Sequence, residues 1–327
     1  MATELIDGYG RVHRDLRISV TDRCNFRCTY CMPEEGMEWL DRSAILSFEE
    51  IERIARILVE RYDFESIRLT GGEPTIRAHL PLLIEKLAAL GIEVALTTNA
   101  SALTTMAQDL VDAGLSRINI SLDTLKPERF VALTKRDRFD EVMQGISAAQ
   151  AVGLDPVKIN AVVMRGINDD EIVEFAHWGR DNGLVIRFIE FMPLDAQGEW
   201  TNDTVVTYDE IFSQISTRWE LEPLVRGSSP ADRFRYVDGG GEIGIVASVT
   251  QNFCHACDRV RLTAEGQLRN CLFSMDDWDL RATVRSGGTD DDIARIIEEA
   301  VGAKWEGHRI NQVHFIRPSK SMSQIGG

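Results

Sequence analysis

At 327 residues, with 44% hydrophobic and 27% charged residues, the chain is long enough to bury a full-sized core and has the composition of an ordinary folded protein. A formal net charge of −16 argues against nucleic acid and anionic membrane as partners, yet leaves a small polyanion open, because a pocket can reverse the sign locally. No apolar run approaches the roughly 18 residues of a membrane span, and Met1-Ala2-Thr3-Glu4-Leu5-Ile6-Asp7 lacks the basic and apolar regions of a signal peptide, so a cytoplasmic, reducing setting is expected.

From about residue 14 to 192, short strand-like runs alternate with amphipathic helical ones. Strands are expected at Leu16–Thr21, Ile67–Thr70, Val94–Thr97, Ile118–Ser121, Val157–Val163 and Val185–Phe191. Helix punctuation lies between them. Ser47 and Glu50 form a capping-box pattern before Ile51, Ile54 and Leu58, while Gly91, Gly114 and Gly183 follow helix ends. Six such repeats predict a parallel sheet with helices outside, either open and doubly wound or curved into a partial barrel.

The strand faces favour the barrel. Five strands carry polar groups on one side: Arg17/Ser19/Thr21, Arg68/Thr70, Thr97, Asn119/Ser121 and Lys158/Asn160. Their other sides are Leu, Ile, Val and Ala, which suits packing against helices. A polar inner face suits a barrel that surrounds a ligand. The sixth strand is mixed on both faces. The expected fold is therefore α/β, a partial parallel (β/α)6 TIM-like barrel over residues 1–193. Residues 194–327 are expected to form a connecting segment and a small C-terminal domain that closes the barrel. Within them, Thr207 to Glu210 opens a capped helix, and Gly/Ser/Pro-rich stretches precede two short strands.

Six cysteines fall in two groups: Cys24, Cys28 and Cys31, then Cys254, Cys257 and Cys271. Clustered thiols in a reduced chain of this length point to metal rather than disulfides. The first group is a C-x3-C-x2-C set just past the first strand, at the barrel end where ligands bind. Structural zinc wants four closed ligands, and no fourth Cys or His lies nearby; three thiolates on a four-iron cluster leave one iron open. In the second group His255 could complete a Cys3His zinc site, so zinc stays open there.

The stretch from Leu16 to Cys31, followed by Gly71-Gly72-Glu73-Pro74 after the second strand, resembles the radical S-adenosylmethionine (SAM) superfamily. The resemblance implies a first 4Fe–4S cluster on Cys24, Cys28 and Cys31 whose open iron binds SAM, with cleavage to a 5′-deoxyadenosyl radical. It also implies SAM contacts at Tyr30, Gly72, Ser121 and Met192. Phe253-Cys254-x2-Cys257-x-Arg259-x-Arg261-Leu262-Thr263, Cys271-Leu272-Phe273 and the terminal Ile325-Gly326-Gly327 resemble the GTP 3′,8-cyclase family of molybdenum cofactor biosynthesis. That likeness runs from about Leu16 to the C-terminus.

It implies a second 4Fe–4S cluster on Cys254, Cys257 and Cys271, and GTP contacts at Arg17, Arg68, Thr97, Lys158 and Arg259-Val260-Arg261. It implies conversion of GTP to 3′,8-cyclo-7,8-dihydro-GTP, and a C-terminal tail reaching the active site. The expected partners are a reductant such as flavodoxin or ferredoxin and a downstream cyclic pyranopterin monophosphate synthase; a homodimer stays open. Two departures stand out: Ala100, where the family usually has Gly, and Asp258, where Asn is common. A peptide-modifying radical SAM enzyme and a non-enzymatic iron–sulfur or zinc module are the rival readings.

Overall fold

The computed structural model describes residues 3–32, 38–195, 198–310, 312, 315–318 and 320–326. Six strands follow one another in parallel: β1 (Asp15–Ser19), β2 (Ser66–Thr70), β3 (Glu93–Thr98), β4 (Arg117–Ser121), β5 (Lys158–Val163) and β6 (Val185–Glu190). Helices α1 (Phe48–Tyr62), α2 (Leu80–Ala88), α3 (Leu103–Asp112), α4 (Pro127–Thr134), α5 (Phe139–Ala151) and α6 (Ile172–Asp181) link them. The helix α1 starts as expected: the Ser47 side chain accepts from the Glu50 amide, and the Glu50 carboxylate accepts from the Ser47 amide. Its buried stripe is Ile51, Ile54, Ala55 and Leu58.

The apolar strand faces form one core with these helices. Leu16, Ile18, Ile67, Leu69, Val94, Leu96, Ile118, Ile120 and Ile159 are all fully buried. The strand β6 also joins this pattern, with Ile186 and Phe188 in the core and Arg187 between them on the inner side. Registry then lines up the polar faces. Arg17 lies level with Arg68, Thr97 with Asn119, Asn119 with Lys158, and Asn160 with both Ser121 and Arg187.

The later strands continue the same sheet. The strands β7 (Leu221–Leu224), β8 (Asp232–Tyr236) and β9 (Glu242–Val246) form an antiparallel meander whose last member pairs parallel with β6. At the other edge β10 (Arg259–Leu262) pairs parallel with β1, followed by β11 (Gln267–Arg269) and β12 (Trp278–Asp279). The sheet therefore has twelve strands in the order β12-β11-β10-β1-β2-β3-β4-β5-β6-β9-β8-β7, and its two ends do not pair among the described residues. The remaining helices are α7 (Tyr208–Ser216), opened by a Thr207–Glu210 capping box, then α8 (Leu280–Arg285), α9 (Asp290–Gly302) and the short α10 (Met322–Ile325). No helix among the described residues is long and apolar enough to cross a membrane.

Candidate active site

The inner face of the sheet bounds one cavity of about 1130 Å³. Cys24, Cys28, Tyr30, Cys31, Gly72, Ser121 and Met192 line it. So do Arg17, Arg68, Thr97, Lys158, Arg259 and Arg261. Four expected site residues do not. The Val260 side chain points the other way into the core, because its neighbours on β10 face inward. Cys254, Cys257 and Cys271 lie just behind the wall, while their neighbours Phe253, Asp258 and Leu272 line it.

The first thiol loop is fixed by the strand end beside it. A Cβ on Gly72 would fall 2.1 Å from the Arg23 carbonyl oxygen, and one on Gly71 would fall 2.5 Å from that of Thr21. Glycine is required here by backbone packing, and the Gly72 and Glu73 amides use the closeness to donate to Thr21 and Arg23 at 2.8 Å each. The buried Glu73 carboxylate then accepts from Thr75, Thr98 and the Asn99 amide. Asn99 passes the constraint on: its Nδ2 donates to Asn25 Oδ1 at 2.8 Å, and Asn25 Nδ2 donates to Ser101 Oγ at 2.8 Å. Tyr30 is oriented by its hydroxyl, which donates to Asp123 Oδ2 at 2.6 Å. Burial lifts Asp123 to about 6.

Burial also drives the first thiols up, with neighbouring negative groups adding to it. Cys24 rises to about 11 and Cys31 to about 12, and Cys28 is raised as well. Three half-buried thiols that oppose one another's ionisation suit a shared cationic centre, which favours thiolates. Among the described residues no three His, Cys, Asp or Glu side chains converge to hold a single metal ion. His255, the residue that would complete a Cys3His zinc arrangement, is exposed. Three soft thiolates in each set are donor chemistry that fits an iron–sulfur cluster.

The surroundings of the late cysteines differ. Burial would raise Cys257, but Arg259 and Lys304 outweigh it and bring the thiol down to about 7. The Cys254 and Cys271 sulfurs accept from the His308 and Phe273 amides, at 3.5 and 3.4 Å. The tail also enters the cavity wall. Arg261 donates to the Gly326 carbonyl, and Gly326 has φ +85° with Thr70 Cγ2 and Ser19 Oγ where a Cβ would go. Ser323 of α10 reaches the Cys31 thiol with its hydroxyl and its amide. Gly327 lies outside the described residues.

The cation row is richer than the sequence pattern indicates. Arg117, Arg187 and Arg233 line the same cavity as Arg17, Arg68 and Lys158. Arg117 is paired with Glu93, and Arg233 with Glu242 at 2.7 Å. Arg68, Lys158, Arg187 and Arg261 have no carboxylate within salt-bridge reach among the described residues. Burial and then their cationic neighbours depress them, to about 9 for Arg68 and Arg261, about 10 for Arg187 and about 8 for Lys158. Among the described residues the buried Nε atoms of Arg17, Arg68 and Arg259 have no hydrogen-bond partner. Such a set is expensive unless an anion meets it.

Residues 18–179 match the family model of the radical SAM superfamily, and residues 184–310 match that of Molybdenum Cofactor Synthesis C. A GTP 3′,8-cyclase of Streptomyces coelicolor is 48% identical, aligned over 99% of this chain and 96% of its own.

The chain belongs to the GTP 3′,8-cyclase family.

A GTP 3′,8-cyclase of Mycolicibacterium smegmatis is 45% identical over 99% of this chain and 92% of its own. Two solved structures share the fold: anSMEcpe with bound AdoMet (TM-score 0.62, 14% identity, 93% of this chain and 81% of that one) and Streptococcus suis SuiB bound to S-adenosylmethionine (TM-score 0.59, 14% identity, 82% and 64%). Members of the GTP 3′,8-cyclase family are radical SAM enzymes, and the partial β/α barrel seen here is the SAM- and iron–sulfur-binding fold of that superfamily.

Proposed function

We propose that this chain is a GTP 3′,8-cyclase, converting GTP to 3′,8-cyclo-7,8-dihydro-GTP as the first step of molybdenum cofactor biosynthesis. The observation that carries this reading is the polarity of one cavity. The first thiols lie past the C-terminal ends of the strands, whereas Arg117 and Lys158 are the first residues of β4 and β5. Four residue steps separate Arg117 from Ser121 on β4, about 13 Å at strand rise. A nucleotide has room to lie between, with its triphosphate on the cations.

Cys24, Cys28 and Cys31 would hold one 4Fe–4S cluster, and Cys254, Cys257 and Cys271 a second. When bound, the reduced first cluster and SAM supply the 5′-deoxyadenosyl radical that removes the ribose 3′ hydrogen. Tyr30, Gly72, Ser121 and Met192 seat SAM. Arg17, Arg68, Thr97, Lys158, Arg259, Arg261 and the Val260 backbone hold GTP, and Arg187, which lines the same cavity, joins them. Guanidinium forks suit phosphate oxygens. The protein's contribution is positioning, charge neutralisation and exclusion of water from the chamber.

Residues 1–193 serve as the barrel and residues 194–327 as the connecting and closing part that brings β10 to the substrate. We place the enzyme in the cytoplasm, drawing electrons from a flavodoxin or ferredoxin and passing its product to a cyclic pyranopterin monophosphate synthase. A peptide substrate would leave the uncompensated cations without partners. Anaerobic incubation with SAM, dithionite and GTP, read by mass spectrometry, should yield 5′-deoxyadenosine and the cyclised nucleotide together. Equal turnover of guanosine, or SAM cleavage with no GTP-derived product, would sink the assignment.

A further inference from the structure

The two-cluster reading gives a role to a buried lysine outside the expected site. Lys304 follows α9 and is only 4% exposed. Its Nζ donates to the Arg259 carbonyl at 2.8 Å and meets His13 Nε2 at 2.8 Å. The third neighbour is the sulfur of Cys257, at 3.4 Å, with the Cys257 carbonyl at 3.5 Å. An ammonium has three N–H groups and no acceptor, so His13 Nε2 must be the unprotonated nitrogen and the third N–H is left for Cys257.

A buried ammonium needs a counter-charge. The carboxylate on the far side of His13, Asp7, is already engaged: its Oδ2 is 2.5 Å from Arg11 Nε and 3.7 Å from His13 Nε2. Arg11 spends its other nitrogens on the carbonyls of Cys254, Trp305 and Glu306, at 2.8, 2.6 and 2.6 Å. An N-terminal strap and the residues after α9 therefore grip the Cys254–Cys257 turn from behind. Among the described residues, the negative partner left for Lys304 is the thiolate of Cys257. Cys24, Cys254 and Cys271 accept instead from backbone amides, those of Phe26, His308 and Phe273.

We propose that Lys304 is a positioning residue of the C-terminal thiol set, orienting Cys257 and placing a fixed positive charge within hydrogen-bond reach of that set's sulfur. Hydrogen bonds and charge at cluster sulfurs tune reduction potential, so the ammonium stabilises the reduced state of the cluster that faces the substrate. This rests on the two-cluster reading above.

The test uses the full chain, reconstituted anaerobically, with iron content and an EPR-monitored redox titration as readouts besides turnover. In Lys304→Gln one of the two midpoint potentials should fall while the other, and reductive SAM cleavage, stay as in the parent. Lys304→Arg, which keeps the charge, should hold the parent potential. The chain has six lysines, so uniform 15N-lysine labelling of the unmodified protein gives a second measurement. A 15N coupling on one reduced cluster, lost in Lys304→Arg made from labelled lysine, assigns the contact. Unchanged potentials at full iron loading, or no lysine coupling in the parent, would overturn the proposal. Iron lost from both sets in Gln and Arg variants alike would reduce Lys304 to a folding role and also overturn it. A parent that binds only one cluster would instead refute the two-cluster reading, which the iron count of the unmodified protein reports separately.

Discussion

Cys24, Cys28 and Cys31 share one loop past β1 in the company of carboxylates, whereas Cys254, Cys257 and Cys271 come from two separate loops backed by cations. Glu73 and Asp123 add to the burial that lifts the first set. Lys304 and Arg259 pull Cys257 the opposite way, to about 7. The first set is arranged by neighbours in sequence and by strand ends. The second depends on contacts between chain ends, such as His13 with Lys304. Cys257 thus sits in a charge environment opposite to that of the first triad, as separate tasks for the two proposed clusters would require: one to deliver an electron to SAM, the other to face a nucleotide.

The sharpest way to break this comparison is to remove each triad in turn. Cys24→Ala, Cys28→Ala or Cys31→Ala should abolish reductive SAM cleavage, because the electron path to the sulfonium is gone. Cys254→Ala, Cys257→Ala or Cys271→Ala should keep 5′-deoxyadenosine formation but stop cyclisation, as read by mass spectrometry. Cyclisation surviving all three late substitutions would mean that the triads do not divide the work.

The next effect is on the cations that lie between the triads. Arg68→Ala and Arg187→Ala should each weaken GTP binding by roughly 1.5–3 kcal/mol, about ten- to hundred-fold, with little effect on guanosine. Equilibrium dialysis under anaerobic conditions checks this. The two residues also mark what could be read in advance. Arg17, Arg68, Thr97 and Lys158 were legible because inward residues on a strand recur every second position, and the apolar opposite face fixed the phase. Arg187 obeys the same period, but Val185 and Ile189 beside it on the inner face hide the polarity of β6. Arg117 was missed because it is the first residue of β4, one position before the apolar run that signals the strand. Lys304, Arg11 and Arg233 had no local signal at all. Their place depends on chain crossings, and a lone basic residue reads the same on a surface as in a core. The joining of β9 and β10 to opposite edges of the barrel sheet was hidden for the same reason.

A smaller effect, tied to one cation, is pH dependence. Burial and then the arginines around it hold Lys158 at about 8 in the free enzyme. A bound triphosphate favours the charged form and raises that value. Below pH 8 the lysine is already protonated, so GTP affinity should be flat with respect to this group. Above pH 8 binding must take up a proton, and affinity should fall by at most tenfold per pH unit until the bound-state value is reached. Lys158→Arg should remove that inflection while keeping tight binding. An inflection unchanged in the arginine variant would assign it elsewhere.

The smallest expected effect tests the support of the first triad. Ala100 has φ +64° and is fully buried, at the position where glycine is usual in the family. A left-handed alanine costs about 1–2 kcal/mol relative to glycine. Against this, Ala100→Gly gives up a buried methyl worth about 0.8 kcal/mol and frees the unfolded chain by about 0.5–1 kcal/mol. These terms nearly cancel, so Ala100→Gly should change stability by less than about 1 kcal/mol in either direction. Ala100→Val should not be tolerated in the same way. The residue already lies against α5, where a Cβ on Gly145 would come within 2.2 Å of the Ala100 carbonyl oxygen and 3.1 Å of its Cβ. A branched side chain at positive φ in such a site should cost about 3 kcal/mol. The backbone would shift at Asn99 and Ser101, which are the residues that hold Asn25 in the first cysteine loop. Thermal unfolding should therefore move little for glycine and strongly for valine. In the valine variant, SAM affinity and iron at Cys24, Cys28 and Cys31 should fall while the late triad keeps its iron. Equal loss from both triads would show that the two supports are coupled, and the contrast between them would have to be given up.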